Sequence, residues 1–414
     1  MTHRSERIHF PNAQGIELAG RLELPLLGRP RAVALFAHCF TCTKDSHAAS
    51  RIAAGLAARG IATLRFDFTG LGGSGGDFAN SGFSANVADL VAAARYLEGR
   101  LGGPHILVGH SLGGAAALAA AGRIPQSRAV VTIAAPFDTA HVLSHLGDVS
   151  AIERDGEGEV QVAGRSFSVT RDFIEDARAH TLAERIAHLD RALLILHAPG
   201  DEIVGIDNAR RIFDAARHPK SYITLGEADH LLTRVADAAY AAALISAWVE
   251  PYLGERPADG VPPEGQVAVE TAGGPFTQSV EAGRHDLLAD EPKAQGGDDM
   301  GPSPYDLLLA GLGACTNMTL QLYARRKGWP LERVRTRLSH TREHEPDCEH
   351  CTDEAARLDV ITREIEIDGA LTGDQVTRLM EIAEKCPVHK TLTGRIAIRT
   401  RRVDEVNQPE DGVR

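Results

Sequence analysis

Aromatic residues make up only 5% of this chain, cysteines number six in 414 residues, and basic residues are outnumbered by acidic ones. Each scarcity excludes something. Six cysteines are too sparse for a secreted disulfide scaffold, so each has to be judged by its surroundings. The 44 Lys and Arg against 56 Asp and Glu leave a net charge of −12, which argues against a general nucleic-acid binder. No apolar run reaches the ~18 residues of a membrane span. The opening MTHRSERIHFPN also lacks the apolar core of a signal peptide. No membrane contact is therefore expected, and the cytoplasm is the expected location. With 43% hydrophobic and 24% charged residues, the composition is that of a globular protein, and the length suits two domains.

The most informative stretch is HILVGHSLGG, residues 105–114. It starts as a short apolar strand, turns through Gly109-His110-Ser111-Leu112-Gly113, and continues as an alanine-rich helix to Ala121. This is a G-x-S-x-G nucleophile elbow in the strand–turn–helix setting the motif requires. A serine on so sharp a turn needs small neighbours two positions away, and both are glycine. The helix that follows points its free N–H groups and positive dipole end at the place where an oxyanion would form.

Around this elbow, strands and helices alternate. Strands are expected at 7–11, 16–24, 32–38, 61–67, 128–135, 192–198 and 221–225, with helices at 46–58 and 83–98. Near-continuous apolar strands such as AVALFAH indicate a mostly parallel sheet with helices on both faces. Gly70, Gly72 and Gly75 spell G-x-G-x-x-G, but Gly, Ser and Asp run on to Asp77 and no helix opens at the third glycine. A dinucleotide site is rejected on that ground, no cofactor is expected, and the loop is read as a flexible wall beside the serine.

Asp201 follows the strand ALLILHA, and His230 follows the next strand in GEADHLL. The order Ser, Asp, His, with GHSLG, PGDEIV and EADH, makes residues 1–250 resemble an esterase of the α/β-hydrolase superfamily. The resemblance implies a triad of Ser111, His230 and Asp201, with Asp229, Glu202 and Asp207 as the nearest competitors for the acid. His230 would remove the proton as Ser111 attacks an acyl carbonyl, and Asp201 would fix the imidazole tautomer. The Leu112 N–H would supply one oxyanion donor. The family loop commonly reads His-Gly-x where this chain has His38-Cys39-Phe40, so the second donor would be the N–H of Phe40. Cys39 in place of Gly would narrow the acyl pocket or constrain the loop. Cys39 and Cys42 form C-x-x-C, expected to be neutral, partly buried cysteines rather than a redox or zinc pair. An insertion at about 137–190 is expected to cap the serine. Its mixed polarity favours small to medium acyl esters over lipids, although thioesterase, acyltransferase or amidase chemistry would use the same triad.

The hydrolase part is expected to span 1–252, followed by a Pro/Gly-rich linker at 253–265, a second domain at 266–403 and a polar tail at 404–414. The second domain reads as α+β. Short strands are expected at 266–271, 276–282 and 285–290, a long helix from Pro304 to Lys327, strands at 331–342 and 356–367, a helix from Gly373 to Lys385, and a last strand RIAIRTRRV. The segments GPSPYDLLLAGLGACTNMTL and EIAEKCPVHKTL resemble the OsmC/Ohr family. The resemblance implies thiols at Cys315 and Cys386 that reduce organic hydroperoxides, one attacking and the other resolving, and an intertwined homodimer. It also implies a Glu ten residues before Cys315, where this chain has Tyr305; Asp306 is one residue along, and Arg284 is the candidate thiol-activating Arg. The second domain is therefore either a peroxidase or a dimerisation module that helps complete the partner's cleft. A further cluster, His344, Cys348, His350 and Cys351, reads as a zinc site, a reducible disulfide or a polar loop, and no metal is expected on balance.

Overall fold

The computed structural model describes residues 3–39, 42–77, 81–146, 149–162, 165–254, 262–344 and 357–402. It divides into two compact units, Met1–Leu288 and Ala289–Arg414.

In the first unit the strands are β1 (His3–Pro11), β2 (Glu17–Pro25), β3 (Ala32–Ala37), β4 (Ile61–Phe66), β5 (Ile106–His110) and β6 (Ala129–Ile133). Helices α1 (His47–Ala57), α2 (Phe83–Leu101) and α3 (Leu112–Ala120) intervene. An eight-stranded sheet runs β1-β2-β4-β3-β5-β6-β9-β10, with β9 at Ala192–His197 and β10 at Lys220–Thr224. β1, β2 and β4 pair antiparallel, and every pairing from β4 onward is parallel. Every residue of β3, β4, β5, β6 and β9 is buried, because helices cover both faces. Alternation then splits each strand between two cores. In β3, Val33, Leu35 and Ala37 face the side covered by α2 and α3, while Ala32, Ala34 and Phe36 face α1 and α8 (Val235–Leu253). The approach of α1 to α8 is close enough that a methyl group on Gly55 would stand 2.7 Å from the Ala242 Cβ.

Between β6 and β9 the segment 137–190 folds as a 3₁₀ turn, α4 (Ser150–Asp155), a hairpin of β7 (Glu157–Val162) and β8 (Arg165–Thr170), α5 (Arg171–Ala179) and α6 (Ala183–Ala187). Its apolar residues Val160, Val169, Phe173 and Ile174 join the core on the α3 side. Asp176 of α5 accepts from the Ser84 N–H at 2.8 Å, and Ser84 Oγ lies 2.8 Å from His180 Nε2. These contacts fasten the insertion to the start of α2. α7 (Asp207–Ala215) separates β9 from β10.

The glycine loop after β4 differs from the expected flexible wall. Gly73 N–H donates to Asp67, Gly75 N–H to the Glu17 carbonyl and Gly70 N–H to the Gly75 carbonyl. Bonds of this number hold the loop in place, and only its Leu71 reaches the cavity described below.

The boundary between units also falls later than the linker suggests. The antiparallel sheet of β11 (Val267–Thr271), β12 (Gln278–Ala282) and β13 (His285–Ala289) groups with the first unit rather than the second. Specific contacts hold it there: Gly28 N–H donates to Ser279 Oγ at 3.0 Å, and Arg4 pairs with Glu270 at 4.0 Å.

The second unit wraps α9 (Pro304–Lys327) with a long hairpin of β14 (Leu331–His344) and β15 (Arg357–Gly369), then α10 (Gly373–Ala383) and α11 (Pro387–Thr393). By length and composition α9 would also pass as a membrane span. Its Ser303–Asp306 capping box, its Arg325-Arg326-Lys327 end and the packing of Leu320 and Ala324 with Val334, Leu379 and Ile382 make it the core helix of this unit. α11 and the stretch after it correct the sequence expectation, since RIAIRTRRV forms no strand among the described residues. Its alternating Ile396 and Ile398 stand 56% and 88% exposed, and a strand without a partner to bond is not a strand.

Candidate active site

Ser111 sits at the carboxyl end of β5, in the middle of the sheet, with φ at 54°. An L-residue rarely holds a positive φ, and the surroundings enforce it. Ser111 N–H donates to the Ile133 carbonyl at 2.8 Å, and its own carbonyl accepts from Gly114 at 2.8 Å. A methyl group on Gly109 would collide with the Gly113 carbonyl, and one on Gly113 with the carbonyls of Ala37 and His38. The motif's glycines are thus a packing requirement of the turn. Leu112 opens α3, so its N–H has no acceptor in a preceding turn and is available to an oxyanion. Phe40, the other expected donor, lies outside the described residues.

The loops after β9 and β10 bring the other two residues together. His230 Nε2 is 3.1 Å from Ser111 Oγ, and His230 Nδ1 is 2.8 Å from Asp201 Oδ2. The second carboxylate oxygen of Asp201 accepts the N–H groups of Ile203 and Val204, each at 2.9 Å. Burial works against ionising Asp201, but the hydrogen bonds from His230 and the Val204 N–H outweigh it and hold the carboxyl below its usual range. The competitors stay out. Glu202 and Asp207 are exposed, and Asp229 turns back to accept from Leu231 and Thr233 in its own loop.

Three histidines that the sequence does not single out hold these loops. Burial pushes His38, His110 and His197 toward the neutral form, His110 down to about 4 with the charge of His230 adding to the effect. Each is then an N–H donor to a backbone carbonyl. His110 Nε2 reaches the His230 carbonyl and His197 Nε2 the Val204 carbonyl, both at 2.7 Å, while His38 Nδ1 reaches the Cys39 carbonyl at 2.8 Å. Each site loop is thereby pinned by a neutral imidazole. A pH dependence follows. The unfolded chain protonates His110 near pH 6.5 and the folded chain only near pH 4, so stability falls as pH drops through that window, by roughly 3 kcal/mol at most from this residue. Thermal unfolding at pH 7 and pH 5 should show a smaller loss in His110→Gln than in the parent; equal losses would refute the assignment.

Cys39 and Cys42 are joined in a disulfide, which corrects the expectation of two neutral thiols. Their Cα atoms, 5.2 Å apart, lie in the range a disulfide bridges. Cys39, His38, Phe68, Leu71, Leu112 and Phe173 line a tight cavity of about 10 Å³ at the elbow, room for about one water molecule.

These features coincide with what the chain is similar to. A family model described as the alpha/beta hydrolase family matches residues 34–295, more than half of the sequence. The chain belongs to the alpha/beta hydrolase family. A model described as OsmC-like protein matches residues 296–401, so an OsmC-like part follows the hydrolase. The palmitoyl-protein thioesterase ABHD10, mitochondrial, of Rattus norvegicus is 30% identical over 186 residues, 43% of this chain and 62% of that protein, and the Mus musculus protein matches equally. The chain thus aligns with less than two thirds of these curated relatives. The esterase domain of a Rhodothermus marinus protein is 43% identical, with a TM-score of 0.51, covering 61% of this chain and all of that structure. A hypothetical protein from Pseudomonas aeruginosa, 19% identical with a TM-score of 0.52 over 61% of this chain and 94% of that structure, shares the fold.

In the OsmC-like part, Cys315 lies part-exposed on α9, and Cys386 is buried at the N-cap of α11. The residues expected to activate them do something else. Asp306 closes the α9 capping box, accepting from the Ser303 N–H at 3.0 Å. It stands nine residues before Cys315, about 13 Å along the helix axis. Tyr305 stacks on His340 with ring centres 4.5 Å apart. Arg284 is exposed at the β12–β13 turn in the other unit. The guanidinium near the thiol belongs instead to Arg363 of β15. It donates to Thr316 Oγ1 at 2.9 Å and to the Ala383 carbonyl at 3.2 Å, and it pairs with Glu384 at 2.7 Å. Thr316 Oγ1 in turn lies 3.8 Å from Cys386 Sγ, which accepts the His389 N–H at 3.3 Å. The sequence does carry a signal for Arg363: it is the one charged residue on the inward stripe Ile361, Arg363, Ile365, Ile367 of β15. Among the described residues no group of three or more His, Cys, Asp or Glu could hold a metal. Cys348, His350 and Cys351 lie outside those residues, as does the side chain of His344.

Proposed function

We propose that this hydrolase is a serine esterase that cleaves small to medium acyl esters through an acyl-enzyme on Ser111. The observation that carries the reading is His230 bridging Ser111 Oγ and Asp201 within hydrogen-bond reach of both. His230 takes the serine proton as Oγ attacks the carbonyl, then delivers it to the leaving alcohol. Water repeats the sequence on the acyl-enzyme and releases the acid. The imidazolium formed in each step is stabilised by the Asp201 carboxylate, and the developing oxyanion by the Leu112 N–H. Ile203 and Leu231, both exposed beside the triad, suit a substrate with apolar groups. Thioester cleavage uses the same steps, and the thioesterase relatives make thioesters the first alternative substrate. Phosphonylation by a p-nitrophenyl phosphonate should modify Ser111 and no other serine, and p-nitrophenyl esters should be turned over faster than matched thioesters. Labelling elsewhere would overturn the reading.

Acyl length is set by Phe173 of α5, which lines the cavity together with Leu112. Phe173→Ala should raise the ratio of octanoyl to acetyl ester turnover by roughly tenfold, at a cost of about 3 kcal/mol in stability. An unchanged ratio in the folded variant would place the acyl pocket elsewhere.

A second reading rests on the Arg363–Thr316–Cys386 arrangement. There the Cys386 thiolate attacks a hydroperoxide, giving an alcohol and a sulfenic acid, and Cys315 displaces water from it to form a disulfide. Cumene hydroperoxide consumption lost in both Cys386→Ser and Arg363→Met would support it. The exposed apolar Leu308, Met318, Leu322 and Ile398 of this part support a homodimer, which the mass in solution tests.

A further inference from the structure

The loop leading out of β3 is held at both ends. At its start, the carbonyls of Ala37 and His38 press on Gly113 so closely that no side chain fits there. At its end, Lys44 donates through its backbone N–H (2.6 Å) and its ammonium group (2.7 Å) to the fully buried carboxylate of Asp67. Arg65 adds a bond to the Lys44 carbonyl and a 2.7 Å pair with Asp45, and is itself pinned by buried Glu23 at 2.8 Å. Between these clamps the sequence runs Cys39-Phe40-Thr41-Cys42-Thr43. His38 holds the Cys39 carbonyl and Ser46 the Thr43 carbonyl, while Cys42 is tied back to Cys39 by the disulfide and by a 3.1 Å bond from its N–H to the Cys39 carbonyl. Cys39 is 4% exposed and lines the cavity beside Leu112 and Gly113, whereas Cys42 is only half-buried. One sulfur of the bond thus belongs to the site wall and the other to a residue a reductant can approach. Cys315 and Cys386, in contrast, are free thiols.

We infer that the Cys39–Cys42 disulfide is a positioning device for the hydrolase site, and that its reduction slows turnover. This rests on the serine-esterase reading of Ser111. A dithiol reductant supplies the electrons. Its thiolate attacks one sulfur, the S–S bond breaks to a mixed disulfide, and its second thiol displaces the remaining cysteine. The protein gains two electrons and two protons, and the reductant leaves as a cyclic disulfide. With the bridge open, the wall at Cys39 keeps its two outer clamps and loses the covalent brace between them. The transition state, which needs the tightest fit, loses more than the ground state, so kcat falls and KM changes little. The fall should be about tenfold to a hundredfold, short of the ~10²–10³ lost when an oxyanion donor is removed outright.

The test uses the full chain. Hydrolysis of p-nitrophenyl butyrate is measured in oxidised and dithiothreitol-reduced protein, with Ser111→Ala as the blank. Differential alkylation of the tryptic peptide 32–44 reports whether this bridge is closed or open, and circular dichroism confirms the fold. The expected result is a reversible fall in kcat that tracks opening of the bridge. A Cys39→Ser/Cys42→Ser variant should be fixed near the reduced rate and be indifferent to dithiothreitol. If the peptide is fully reduced and the Ser111-dependent rate is unchanged, the inference is wrong. It is equally wrong if both cysteines alkylate in protein equilibrated with oxidised glutathione. A rate that survives in Ser111→Ala would instead remove the esterase reading itself, and is told apart by that blank.

Discussion

Ser111→Ala should lower kcat for p-nitrophenyl esters by about 10⁶-fold, leaving the ~10³-fold advantage over water that binding and oxyanion donors supply without a nucleophile. The size follows from what the change removes. In the proposed mechanism Ser111 Oγ carries the acyl group, and without it His230 Nε2 has no proton to take. Adding His230→Ala should then cost almost nothing more, since residues that act as one unit are not additive. The fold should survive. Serine at φ 54° already sits where L-residues are strained, and alanine inherits the same strain. Ser111→Gly should therefore be inactive yet more stable than the parent, because glycine adopts that backbone freely. Rates from stopped assays and melting temperatures for the two variants check both halves. A Ser111→Ala enzyme within a hundredfold of the parent would dismiss Ser111 as nucleophile.

What the sequence discloses here depends on how local the cause is. The elbow is legible because sterics at Gly109 and Gly113 act within five residues; the order of Ser111, Asp201 and His230 is what the family resemblance implies, and they can meet because parallel strands all end on one side of the sheet. The pins behind the triad are not legible. His38, His110 and His197 differ from the other histidines only in being buried, and burial is decided by strands far apart in sequence. The disulfide was visible as a spacing, but C-x-x-C suits a thiol pair as well as a bridge. In the OsmC-like part Asp306 read as a thiol partner because it lay near the expected position. Its spacing from Ser303 fits a capping box equally well, and the cap is what forms. Arg363 came from another strand, and only its intrusion into an aliphatic stripe betrays it. The strand pattern at Ile396 and Ile398 is real, but pairing needs a neighbour that the chain does not itself present among the described residues.

Asp201→Asn separates orientation from charge and should cost about 10⁴ in kcat. One oxygen of Asp201 accepts from Ile203 and Val204, two N–H groups that can only donate. An asparagine must keep its carbonyl there and turn its NH₂ toward His230. An NH₂ cannot accept from Nδ1–H, so the imidazole moves its proton to Nε2 and presents Nδ1 as the acceptor. Nε2 is then a donor facing Ser111 Oγ, unable to take the proton that attack requires. Packing is nearly unchanged, since the amide and carboxylate share one shape, so KM and the fold should hold. Asp229→Asn serves as the comparison, because its carboxylate caps its own loop through Leu231 and Thr233 and does not reach the imidazole nitrogens. That change should cost tenfold or less, an effect on how the His230 loop sits rather than on the tautomer. If instead Asp229→Asn collapsed the rate while Asp201→Asn stayed within tenfold of the parent, the acid of the triad would be Asp229.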